Sequence, residues 1–239
     1  MTKKTARQLT RFEAQRRADL LSGRASRWEV SSPRDELEKF RLFARQMEIL
    51  IDQAEESEIV SLKGSIAGLS QEGQDEFWLW NYPVHWDEIF RATIRNSMVV
   101  SLATFLETFL DRLCSQVSLI TRSELNVRDL RGGILERTRK YLTAIGKFKE
   151  PNSAAWTEIG LFFKIRHVIV HVGGFTLGTN HQKAIEQFCK SRSDIRLEHG
   201  SIEIEPAFVE FLIDQLKEFI QQLENEFKAL CEDASQVES

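Results

Sequence analysis

The scarcity of helix-breaking residues is the feature that most restricts the fold of this chain. Its 239 residues include only 4 prolines and 12 glycines, so long stretches can stay helical. Apolar residues recur at three- and four-residue steps over 35–60, 87–120 and 206–230, the spacing of one helical face. With 42% hydrophobic and 28% charged residues, the composition excludes a mostly disordered chain. We predict an all-α helical bundle.

The pattern divides the chain into four regions. We expect a basic, mobile arm over 1–34, a helical extension over 35–85, a helical domain over 86–231 and an acidic tail over 232–239. Further helices are predicted over 126–147, from about 153 to His171, and over 181–190. The stretch 195–205 alternates around His199-Gly200, which predicts a small β-hairpin before the C-terminal helix that Pro206 opens.

Local signals fix several boundaries. Ser32 is a predicted N-cap with Pro33 at the first helical position. Asn152 or Ser153 is expected to cap the later helix, which should end at Gly173-Gly174. The aromatic stretch 76–86 around Pro83 is read as a turn packed on the core. For its tryptophans we favour a core or interface role over base stacking; these residues are Trp78, Trp80 and Trp86.

Charge is strongly segregated although the formal net charge is only −4. Residues 1–28 carry 8 Lys/Arg and 2 acids, and residues 122–167 carry 10 and 5, whereas residues 29–121 carry 8 and 16. This pattern excludes an evenly basic nucleic-acid coat but leaves a local basic surface.

The compartment is read from what the sequence lacks. Three cysteines, far apart and odd in number, form neither a disulfide framework nor a CxxC metal site. No apolar run reaches the roughly 18 residues of a membrane span, and the N-terminus has no apolar signal region. We expect a cytoplasmic protein with no membrane partner.

The stretch 156–174 carries the chemistry. It is apolar almost all round, so we expect it to be buried in the bundle or in a subunit interface. Arg166, His167 and His171 lie inside it. A buried guanidinium costs several kcal/mol unless it is paired, so it needs either an internal acid such as Glu107 or a phosphate from outside.

Three functional readings compete for these side chains. His167 and His171 are spaced i, i+4, which permits two metal ligands, but Val168 stands where a zincin has its glutamate. A nucleophile–base pair has no GxSxG turn, and Cys114 lies inside a helix without an activating cue. Arginine with histidine suffices for RNA cleavage, because histidine exchanges protons near neutral pH and arginine binds phosphate.

The segment Arg166-His167-Val168-Ile169-Val170-His171 resembles the Rx4–6H motif of HEPN domains. That family commonly has a polar residue directly after the arginine, which His167 supplies here. The surroundings are similar as well, with an apolar helix before the motif, glycines after it, then a hairpin and a long closing helix. The helix residues 97–110 resemble the family's helix that has a glutamate among aliphatics. The likeness covers roughly 86–231.

The resemblance implies a helical bundle of HEPN type and a metal-independent endoribonuclease without a cofactor, acting on RNA as a homodimer through the motif helix. Many such proteins are toxins or antiviral-defence effectors, so an antitoxin or defence-system partner protein is expected. Arg166 would bind phosphate, His171 would be the acid/base and His167 a supporting polar residue. Two alternatives remain: a non-catalytic module that binds nucleotide, RNA or protein, and a regulatory helical dimer with Arg166 paired internally.

The RNA-facing surface would be the basic stretch 122–167. The backbone contacts predicted within it are Arg137, Arg139, Lys140 and Lys164.

Overall fold

The computed structural model describes residues 7–23, 32–149 and 153–238 and is helical with one small hairpin, as predicted. Its elements in chain order are α1 (Arg11–Leu21), α2 (Pro33–Ile66), α3 (Gln71–Asn81), α4 (Ala92–Thr121), α5 (Ile134–Tyr141), α6 (Ala154–Val172), α7 (Gln182–Cys189), β1 (Ile195–Glu198), β2 (Ser201–Ile204) and α8 (Pro206–Glu238). π-Helical turns cover Trp86–Arg91 and Leu142–Gly146, and a 3-10 turn covers Val127–Asp129.

The predicted boundary signals are confirmed where the structure describes them. The Ser32 hydroxyl accepts a hydrogen bond from the Asp35 N–H at 3.2 Å, and α2 begins at Pro33. The Ser153 hydroxyl accepts from the Trp156 N–H at 3.4 Å, whereas Asn152 lies outside the described residues. In the hairpin, β1 and β2 are antiparallel with Ile195 opposite Ile204.

Two predicted elements differ from the structure. The single helix expected over 126–147 is broken, because Gly132 takes a φ of +116° and α5 starts only after Gly133. The stretch 76–86 is not a turn packed on the core: α3 runs to Asn81 and buries none of its residues. Pro83 ends this helical run, since the residue before a proline is pushed into an extended conformation.

The predicted mobile arm over 1–34 contains ordered structure. Residues 11–21 form α1, in which the Thr10 hydroxyl and the Glu13 carboxylate make a capping box. Arg17 is buried, and its Nε donates to the Ile120 carbonyl at 3.2 Å. The other parts of the arm, residues 1–6 and 24–31, lie outside the described residues.

The chain divides into two compact units. The first comprises Met1–Leu37, Leu102–Arg166 and Leu212–Ser239. Its core is formed by the apolar stripes of α4, α6 and α8, and Trp156 packs on Phe219 with ring centroids 5.1 Å apart. Deep burial of these large side chains supplies most of the driving force for folding.

The second unit comprises Glu38–Ser101 and His167–Phe211. Its core includes Met98 and Val99 of α4, Ile185 of α7 and the inward residues of the hairpin. Arg95 ties three parts of this unit together, because its guanidinium pairs with Glu48 at 2.8 Å and donates to the Ile204 carbonyl at 3.0 Å.

Among the residues described, no helix combines the length and the apolar character that crossing a membrane requires.

Candidate functional site

The motif lies on α6, which is α-helical without interruption from Ala154 to Val172. One stripe of the helix is fully buried, and it consists of Trp156, Ile159, Phe162, Ile165 and Val168. The remaining apolar surface near the motif stays exposed within one chain. The expectation that the whole segment is buried therefore holds for this stripe only.

Arg166 stands on α6 without a partner for its charge. The side chain is partly buried, and its Nε has less than 1 Å² of accessible surface and no hydrogen-bond acceptor. Within the described part of the chain, no carboxylate lies within ion-pair distance of its guanidinium, and this includes Glu107. An internal Arg166–Glu107 pair, the structural alternative for this arginine, is not formed.

Both motif histidines reach solvent. His167 and His171 are exposed, whereas Val168 between them is fully buried. Successive helix residues turn by about 100°, which orders Arg166, Val170, His167 and His171 over an arc of about 140°. Gly173, with a φ of +63°, first departs from helical geometry, and it follows both functional positions. Arg166 and His171 of one chain therefore point in different directions.

A third histidine joins the motif. The His167 and His171 ring centroids are 4.4 Å apart, and the His181 ring lies edge-on to His167 at 5.0 Å. His181 directly precedes α7, where the Gln182 N–H donates to the Thr179 carbonyl at 3.2 Å. Sequence analysis did not select His181, because the loop after Gly173-Gly174 has no period that shows where it returns.

Metal ligation requires more than this cluster shows. The residues that the structure describes contain no group of three or more His, Cys, Asp and Glu side chains placed to hold a metal ion. The cluster presents imidazoles that can accept, donate or share protons.

The hairpin anchors the end of the motif helix. The Gly174 N–H donates to the Val168 carbonyl at 3.1 Å, and the Gly174 carbonyl accepts from the Ile202 N–H at 3.0 Å. The Thr176 N–H and hydroxyl both donate to the Gly200 carbonyl. Gly200 has a φ of +88°, and a Cβ there would meet Leu177 at 2.7 Å, so this turn needs glycine. The fold thereby fixes the position of the histidine-bearing turn.

The four predicted RNA contacts lie on α5 and α6 and differ in availability. Lys164 and Arg139 are exposed, and Lys140 is exposed but pairs with Glu136 at 2.5 Å. Arg137 is partly buried and its Nε has no acceptor among the described residues.

Arg137 lines a cleft of about 610 Å³ whose charged residues balance. Arg128 and Arg137 stand in it with Glu107 and Asp111, and Arg128 pairs with Asp111 at 3.0 Å. A phosphate approaching this cleft would meet two acids as well as two guanidinium groups, so its electrostatic attraction is weak.

Cys114 is unsuited to nucleophilic chemistry. It is 1% exposed, and burial raises the pKa of its thiol to about 12. The reactive form of cysteine is the thiolate, which this environment suppresses near neutral pH.

The second unit exposes apolar side chains around the histidines. They belong to the end of α6 and to the following loop, and they are Val170, Val172, Phe175 and Leu177. Exposed apolar groups close to polar functional groups are typical of a surface that another molecule covers.

Comparison of the chain with protein-family models, with curated proteins and with solved structures gives no match in any of the three.

Proposed function

We propose that this protein is a metal-independent endoribonuclease of HEPN type. The observation that carries the proposal is Arg166, a cation whose Nε is buried without an acceptor, five residues before an exposed histidine. A phosphate group would supply the missing acceptor, because guanidinium groups bind phosphate through charge-assisted hydrogen bonds. The resemblance of the motif to Rx4–6H sequences supports the same reading.

The proposed reaction is attack of a ribose 2′-oxygen on the adjacent phosphorus. A histidine accepts the 2′-OH proton while the bond to the 5′-oxygen breaks, and a second proton donor protonates that leaving oxygen. Arg166 stabilises the negative charge on the non-bridging oxygens. The products are a 2′,3′-cyclic phosphate and a 5′-OH. His171 is the proposed acid/base and His167 its supporting polar neighbour.

We infer that the active form is a homodimer. One helix directs Arg166 and His171 about 140° apart, and one imidazole cannot readily remove and deliver a proton in the same step. Two facing motifs supply both roles. The exposed Val170 and Val172 give the motif helix an apolar surface that a second copy can cover.

RNA would follow the basic surface of α5 and α6. The proposed backbone contacts are Arg137, Arg139, Lys140 and Lys164, and the affinity they supply should fall steeply with salt. The same resemblance leads us to propose a toxin or antiviral-defence effector that an antitoxin or defence-system partner protein controls.

Cleavage of a fluorogenic single-stranded RNA in the presence of EDTA tests the site. Wild type should cleave, and His171→Ala should lose cleavage while keeping the wild-type circular dichroism spectrum. His199→Asn is the matched control, because His199 has a φ of +50° that asparagine tolerates, and it should cleave like wild type. Cleavage by His171→Ala at the wild-type rate would contradict the proposal. Wild type that binds RNA and leaves it intact would instead support a binding module.

A further inference from the structure

The segment 79–90 of the second unit exposes more large apolar surface than its fold requires. Trp80 is 77% exposed and Leu79 is 73% exposed. Four further large side chains of the segment are exposed, namely Tyr82, Val84, Ile89 and Phe90. Six exposed large apolar side chains within twelve residues indicate a surface that a partner covers.

The backbone under these side chains is well anchored. The Trp86 Nε1 donates to the Glu58 carboxylate at 2.6 Å, and Pro83 is buried. Arg91 joins the end of the segment to α2 through Asp52 at 2.7 Å and Glu55 at 2.6 Å. The segment is therefore held before any partner arrives, which lowers the entropy cost of binding.

Charge around the segment 79–90 selects the class of partner. The stretch 71–90 contains five acids and no lysine or arginine, so its formal charge is −5, and all five acids are exposed. They are Glu72, Asp75, Glu76, Asp87 and Glu88. This charge repels RNA phosphates and anionic lipid headgroups, which argues against base stacking or membrane insertion by Trp80.

We propose that the segment 79–90 docks a cationic amphipathic helix of a partner protein. The apolar face of such a helix would cover Trp80, Leu79 and Phe90, and its lysines and arginines would face the acids of 71–90. A second copy of this chain is a poorer fit. Its basic stretch 122–149 is a different surface, so the contact would be heterologous and would leave an open chain of subunits. The proposal is independent of RNA cleavage.

Fluorescence anisotropy with a labelled 18-residue helical peptide of leucine and lysine, arranged with one apolar face, tests this docking surface. The full-length protein should bind it, and Trp80→Ala should raise the Kd at least about tenfold, the effect of removing an aromatic anchor. Glu76→Lys should also weaken binding, and both effects should shrink in high salt. Val237→Ala is the matched control, because Val237 is 87% exposed on α8, and it should bind like wild type.

Four results would overturn the proposal. Trp80→Ala could bind the peptide as tightly as wild type while retaining its circular dichroism spectrum. A leucine–glutamate peptide of the same pattern could bind equally well. Poly-uridine RNA or phosphatidylserine vesicles could displace the cationic peptide. Finally, sedimentation of wild type alone could show large assemblies that Trp80→Ala abolishes, which would assign the surface to a second copy.

Discussion

Replacement of Arg166 by methionine should stabilise the fold while it abolishes RNA cleavage. Methionine retains an unbranched stem of similar length, so the packing of the aliphatic part on α6 is kept. What disappears is the guanidinium, whose Nε is buried without an acceptor among the described residues.

The size of the gain follows from the cost of leaving a buried polar group unsatisfied, which is about 1–3 kcal/mol. Arg166 is only partly buried, so we expect the lower end, about 1 kcal/mol in the free energy of unfolding. For a chain of this size, that corresponds to a rise in melting temperature of about 2–4 °C. If a carboxylate neutralised Arg166 in the fold, its removal would instead cost about 3–5 kcal/mol.

Urea unfolding followed by circular dichroism measures this difference. Lys164→Met is the matched control, since Lys164 is an exposed cation on the same helix, and its free energy of unfolding should change by less than about 0.5 kcal/mol. Destabilisation of Arg166→Met by several kcal/mol would refute the reasoning, because it would show that the fold itself pairs this charge.

Three further predictions concern the dimer and the core. An Arg166→Met variant and a His171→Ala variant, each inactive, should regain RNA cleavage when unfolded together and refolded as mixed dimers; no recovery would contradict a shared site. The free energy of unfolding should fall as pH rises from about 9 to about 12, because burial raises the Cys114 pKa from 9.0 to about 12 and the unfolded chain loses this proton first; Cys114→Ala should flatten that fall in urea titrations. Phe219→Ala should cost about 3–5 kcal/mol in urea unfolding, since Phe219 is 1% exposed and packs on Trp156; a loss below 1 kcal/mol would contradict this core assignment.

The elements that the sequence predicted correctly are those with a strong stop signal. Gly173-Gly174 ends α6, His199-Gly200 makes the hairpin turn, and Pro206 opens α8. Each of these residues restricts the backbone by itself, so no tertiary information is needed.

The failures have the opposite character. The apolar period of 126–147 is helical, but Gly132 takes a conformation with positive φ that period analysis does not detect. The aromatic density of 76–86 indicated a core turn, whereas α3 exposes Trp80 and Leu79. Hydrophobic side chains predict burial somewhere, and a surface that a partner covers satisfies the same pattern as a core.

The candidate site was partly predictable as well. Arg166, His167 and His171 share one helix, so their spacing alone placed them on neighbouring turns. Whether Arg166 has an internal carboxylate partner depends on contacts distant in sequence, and the structure alone shows that Glu107 does not pair with it. The approach of His181 to His167 likewise depends on the path of a loop.

The identity of the cleaved ends tests the central claim most directly. Wild-type protein is incubated in EDTA with an RNA oligonucleotide and with the same sequence made entirely of 2′-deoxy nucleotides, and the products are identified by mass spectrometry. We predict 2′,3′-cyclic phosphate and 5′-OH ends from the RNA, no cleavage of the deoxy strand, and no products from Arg166→Met or His171→Ala. Cleavage of both strands, or intact RNA after incubation with wild type, would contradict the account.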